Sequence, residues 1–160
     1  MDWKRLVHCG LLGSNNWDQY AILLVRVSVG LFFAISGANK WFVPTSKRSM
    51  YETLVEAKVP FARLMTYFVS GVELIGGSLL IAGFLSSVFC AALLVDMLVA
   101  ILTTKLAAMP KGRSPLNWLD DFLYLPEVLY VLFFVWLICS GPGRFSVDYW
   151  LLGGKLTACR

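Results

Sequence analysis

Histidine is almost missing from this chain; His8 is its one example. A His-rich metal site is thereby excluded, as is bis-His haem ligation from this chain alone. The four cysteines, Cys9, Cys90, Cys139 and Cys159, include no CxxC pair, which excludes a zinc knuckle and a thioredoxin-like motif. No nucleotide fingerprint or iron–sulfur spacing occurs. Charge is scarce as well: 15% of residues are charged, against about 25% in a soluble domain. No basic stripe with interleaved aromatics appears, so nucleic acid is not an expected partner.

What is present is apolar. Hydrophobic residues make up 58% of the chain and are gathered in long runs. This pattern predicts an all-α, polytopic membrane protein, residues 1–160 forming one transmembrane domain. The net charge of +4 suits contact with anionic membrane lipid. Lys4 and Arg5 precede too short an apolar stretch for a cleaved signal, so the first span is expected to serve as its own targeting signal.

A span needs about 20 residues. Four are expected, over roughly 20–39, 64–83, 87–106 and 122–143. Asn15, Asn16 and Asp18 are candidate caps for the first, and Lys40 with Trp41 closes it as an interfacial anchor. Between Pro44 and Pro60, a short helix is expected to lie on the membrane or cover the bundle, with Ser49 and Glu52 as a capping box and Met50, Leu54 and Ala57 on one face. The turn between spans two and three belongs near Gly83–Ser87. Residues 107–121 read as a polar loop, and Pro126 sits in the first turns of span four. Lys4, Arg5, Arg144, Lys155 and Arg160 fall on the terminal side. Lys47, Arg48, Lys58, Lys111 and Arg113, with Lys40, Arg63 and Lys105 at the edges, fall on the loop side. The positive-inside rule then puts the loops in the cytoplasm.

Four ionisable residues lie inside the spans: Arg26, Glu73, Asp96 and Glu127. An intramembrane charge is costly and must meet a partner, a cavity or a proton. If the spans are centred at one depth, Glu73 and Asp96 fall near the midplane, Arg26 roughly 8 Å toward the terminal side and Glu127 roughly 6 Å toward the loop side. On that placing Arg26 reaches Glu73, Lys40 reaches Glu127, and Asp96 is protonated or bonded to Tyr67, Tyr130 or Ser78. Such pairs either hold the bundle together or form a polar pocket for a ligand or protons. Phe133, Phe134 and Trp136 are expected to face lipid, and Cys90 and Cys139 to lie at similar depth on span three and span four.

The motifs Arg26-x3-Gly30-x6-Gly37-x2-Lys40, Glu73-x2-Gly76-Gly77-x5-Gly83 after Val59-Pro60, Glu127, and Gly141-x-Gly143 followed by Ser146-x-Asp148 together resemble the DoxX family over most of residues 20–150. The resemblance implies a four-helix protein of the bacterial inner membrane, in a family named for a subunit linked to quinone-dependent oxidation of sulfur compounds. Asp96 has no counterpart in that pattern, and there is no soluble thiosulfate-binding domain.

Three functions follow. The first is a membrane subunit of a quinone-linked redox system, with Glu73 and Asp96 as catalytic proton acceptors and Arg26, Lys40 and Glu127 as cofactor-binding residues. The second is a non-enzymatic membrane scaffold or partner subunit. The third is a thiol–disulfide oxidoreductase using Cys90 and Cys139. No metal is expected; a redox partner subunit and a homo-oligomer are the open protein partners, and whether the chain is an enzyme stays open.

Overall fold

The computed structural model describes residues 17–109, 112 and 114–151. Outside them lie Trp3, His8, Cys9, Cys159, the caps Asn15 and Asn16, and the charges Lys4, Arg5, Lys111, Arg113, Lys155 and Arg160. The described residues are helical and contain no strand.

Helix α1 spans Trp17–Phe42, and α2 spans Pro44–Glu56. Helix α3 spans Ala62–Ala82 and α4 Ser86–Ala100, which runs into a π-helical turn at Ile101–Lys105 and a last short turn, α5, at Leu106–Ala108. Helix α6 is Pro115–Leu123, α7 is Pro126–Ser140 and α8 is Val147–Leu151. By length and hydropathy α1, α3 and the continuous Ser86–Lys105 segment can each cross a membrane, and α6 with α7 makes a fourth candidate bent by 64°. The expected bundle of spans is therefore present, with the short helix α2 between the first two.

The fourth element differs from the expected straight span. Pro126 stands at the start of α7, where its missing N–H costs nothing, but its ring prevents α6 from continuing through it. The expected polar loop also contains a helix. Ser114 caps α6 by accepting a hydrogen bond from the Asn117 N–H, and Pro115 occupies the first turn. Leu116, Leu119 and Leu123 recur at helical spacing there, a signal present in the sequence.

Helix α2 begins earlier than the Ser49–Glu52 capping box implies. Pro44 opens it, Ser49 lies in its interior, and Glu52 pairs with Arg48 at 2.8 Å. Of its expected face Leu54 alone is buried.

Two hairpins make the bundle. Helices α1 and α3 form the closest pair; α4 packs on α7 and also on α3. Glycines set the first hairpin. A Cβ on Gly77 would lie 2.5 Å from the Ala34 N and 2.6 Å from the Gly30 O, and one on Gly30 would lie 2.8 Å from the Gly77 O. Gly37 meets the backbone of Ser70 and Leu74 in the same way. Small residues thus let two backbones touch, as membrane helices require when apolar burial no longer separates helix from lipid. The neighbouring Gly76 faces the other way, toward Leu93 of α4.

The core joins all the spans through Phe33, Leu80, Leu93 and Phe134, each at most 1% exposed. Phe134 was expected to face lipid; instead it tilts against Phe33 at 5.3 Å between ring centroids. Trp136 is 40% exposed, and Leu24, Leu31 and Ile35 of α1 point outward with exposures of 50–70%. Those outer faces are the ones lipid would wet.

Candidate functional site

The hairpin register decides which charges meet. Gly30 facing Gly77 and Ile81, with Gly37 facing Ser70 and Leu74, puts Ser36 and Lys40 level with Glu73 and Arg26 level with Gly83. Ten residues of α3 separate Glu73 from Gly83, about 15 Å of rise. Arg26 and Glu73 therefore do not pair. Close backbone contact slides α3 along α1, an offset that no hydropathy average reports.

At the loop-side end, the Lys40 Nζ donates to both Glu73 oxygens, at 2.6 and 2.7 Å. Ser36, one turn earlier on α1, donates to Oε2 at 3.4 Å. The Glu73 side chain is 4% exposed and that of Lys40 24%, so the ammonium links a buried carboxylate to open space. That space is a groove of about 550 Å³, lined by Ser36, Asn39 and Lys40 of α1 and by Thr45, Ser46, Ser49, Met50 and Thr53 of α2. It opens between span one and the short helix, not between spans one and two.

Asp96, on α4, is close enough to act electrostatically with both Glu73 and Lys40. Its Oδ2 is buried and has no hydrogen-bond partner among the described residues. Ser78, one of the hydroxyls expected to serve it, donates instead to the Leu74 carbonyl of its own helix. The structure thus joins Ser36, Lys40 and Glu73 by hydrogen bonds, with Asp96 acting on them through charge alone.

Glu127 lies apart from this cluster. Lys105, not Lys40, holds it, at 2.8 Å. Lys105 is the last residue of the π-helical turn, and Glu127 stands in the first turn of α7. The helix dipole there also favours a carboxylate.

Arg26 is 2% exposed and serves the terminal-side end. Its guanidinium donates to the carbonyls of Pro142 and, at 2.5 Å, Phe145. These belong to the segment Gly141–Ser146 that folds back under the bundle. Asp148, two residues on, accepts from the Leu85 and Ser86 N–H groups at 2.7 and 2.9 Å and so caps α4. Its own N–H donates to the Gly83 carbonyl at 3.0 Å. Gly83, at φ +74°, ends α3 in a Schellman turn, with the Phe84 N–H on the Leu79 carbonyl. A side chain here would strike the Arg26 guanidinium and Ser146. The tail's Gly-x-Gly and Ser-x-Asp are parts of this clamp.

Cys90 and Cys139 are both free; Cys90 is buried in the core while Cys139 is exposed. No group of His, Cys, Asp and Glu among the described residues can hold a metal ion.

Sequence reasoning missed Ser36, Lys105 and the hydroxyl-bearing face of α2. Ser36 was legible, since it stands four residues before Lys40 on the same helical face. Lys105 was not, because its partner Glu127 stands on a distant helix.

The DoxX family model matches residues 21–106, which carry the α1–α3 hairpin, the Lys40–Glu73 pair and Asp96. The uncharacterized membrane protein Rv3486 of Mycobacterium tuberculosis is 30% identical over 161 residues, covering 98% of this chain and 92% of that protein. No solved structure matches. With more than half of its length under the family model and a membrane-protein relative along nearly all of it, this chain is a membrane protein that belongs to the DoxX family.

Proposed function

We propose that the protein is a membrane subunit of a quinone-linked redox system, seated in a bacterial inner membrane, and that the groove beside Lys40 takes the quinone head group. The observation that carries this reading is the continuity of groove, ammonium and buried carboxylate, with a buried unpartnered oxygen on Asp96 of α4. The donor set fits such a group: the Lys40 ammonium, the Asn39 amide and the hydroxyls of Thr45, Ser46 and Ser49 suit carbonyl oxygens. When bound, a quinone supplies two-electron, two-proton redox chemistry.

The chain's own residues then divide the work. Lys40 donates toward an oxygen in the groove while holding the Glu73 carboxylate. Glu73 is the proton acceptor next to the groove, and Asp96 is a second acceptor whose unpartnered oxygen accommodates a proton without breaking an existing bond. Arg26 and Glu127 bind the protein to itself through Pro142, Phe145 and Lys105. Electrons are exchanged with a redox partner subunit.

One observation favours a second reading, a non-enzymatic scaffold: both Glu73 oxygens are already answered by Lys40, so the pair is complete without a ligand. Titration of a short-chain quinone into the purified protein, alone and with co-purifying partners, separates the two. Saturable binding is expected, weakened about tenfold or more by Lys40→Met and Glu73→Gln together, a variant that keeps charge balanced. Absence of saturable binding in the original protein, or equal affinity in that variant, overturns the quinone reading.

A further inference from the structure

A second pocket, of about 440 Å³, lies on another face of α2. Pro44, Lys47, Arg48 and Tyr51 of α2 line it, together with Arg63, Thr66 and Tyr67 of α3. Three cations from two helices thus converge on one cavity. A single acid, Glu52, answers one of them, Arg48, at 2.8 Å. Lys47 is held over the Tyr67 ring, its Nζ 4.7 Å from the centroid, and among the described residues neither it nor Arg63 makes an ion pair. Gathered like charges repel one another unless an anion joins them. The Arg63 cation also sits in the first turn of α3, where the helix dipole disfavours it and would favour an anion.

Depth adds a second constraint. Ala62 begins a candidate span, so Arg63 marks the level where hydrocarbon gives way to headgroups. Tyr51 and Tyr67, 42% and 39% exposed, are the amphipathic rings found at that level. Guanidinium forks match phosphate oxygens in pairs, and an ammonium beside them adds a point charge.

The geometry points to a binding site for a phosphate group at headgroup depth, formed by Lys47, Arg48 and Arg63. It is separate from the groove at Lys40 and does not depend on the quinone reading. Two sources supply that chemistry, an anionic phospholipid and free phosphate.

Native mass spectrometry of the protein released from nanodiscs tests the site. With phosphatidylglycerol in the disc, the original chain is expected to retain lipid about tenfold more than with phosphatidylcholine. Arg63→Gln and Lys47→Gln should each lower that retention several-fold, on the order of one lost charge-assisted contact. Lys58→Gln removes an equal charge from the same loop side, outside the pocket, and should leave retention unchanged. Because these side chains are partly or fully exposed, unaltered unfolding temperatures in neutral detergent are expected for all three. Displacement of lipid by millimolar inorganic phosphate, sensitive to Arg63→Gln, assigns the site to the free anion as well; no displacement assigns it to the lipid. Equal retention of the two lipids, or equal losses in Lys58→Gln and Arg63→Gln, overturns the proposal, since surface charge alone would then account for the binding.

Discussion

The two ends of the α1–α3 hairpin each hold one cation of α1, and they treat it differently. At the terminal side Arg26 is answered by neutral carbonyls of the tail and is closed off from solvent. At the loop side Lys40 is answered by a carboxylate and remains open to a groove. A guanidinium has five donors in a rigid fork and stays charged, which suits a permanent clamp on several carbonyls. An ammonium on a flexible stem carries three donors at a point charge and can turn between two partners. The same helix pair thus carries a closed joint at one end and an ion pair bordering a groove at the other.

The largest expected effect breaks the loop-side pair. Lys40→Met alone leaves the buried Glu73 carboxylate without its partner and should cost about 3–5 kcal/mol. Glu73→Gln added to it should recover part of that loss, whereas Arg26→Met added to it should simply sum, because Arg26 lies about 15 Å along the hairpin from Glu73. A double-mutant cycle by thermal unfolding in detergent measures both couplings. Equal coupling energies for the two pairs would erase the distinction between the ends.

A smaller effect is expected at the seam that sets both ends. Gly77→Ala puts a Cβ against the backbone of Gly30 and Ala34, which cannot give way as a flexible side chain would. Overpacking of this kind costs about 1–3 kcal/mol. Gly76→Ala meets the Leu93 and Phe89 side chains of α4, at 3.4 and 3.5 Å, in ordinary contact and should cost less. Comparing their unfolding midpoints checks that α1, not α4, is the tight neighbour.

The smallest effect sharpens the terminal-side end. Asp148→Ala removes the acceptor for the Leu85 and Ser86 N–H groups, a loss of about 1 kcal/mol, as for other helix caps. Amide exchange at the start of α4 should rise while the Lys40–Glu73 end is unaffected. Faster exchange at both ends would mean that the tail supports the whole hairpin.

The sequence by itself determined where helices able to cross a membrane form, that a short helix follows the first, and which few charges need partners. Hydropathy and proline act locally, so a window of neighbouring residues suffices to read them. Even the missed α6 was written locally, in Ser114, Pro115 and the spacing of its leucines. Tertiary structure alone decided which charge meets which. The axial slide of α3 along α1 depends on where two glycine-bearing backbones can touch, and that slide gives Glu73 to Lys40 and leaves Arg26 for the tail. The pairing of Lys105 with Glu127 and the return of Gly141–Asp148 beneath Gly83 are likewise set by contacts between distant segments. A pattern read along one strand of sequence contains no term for such contacts, because each depends on two surfaces at once.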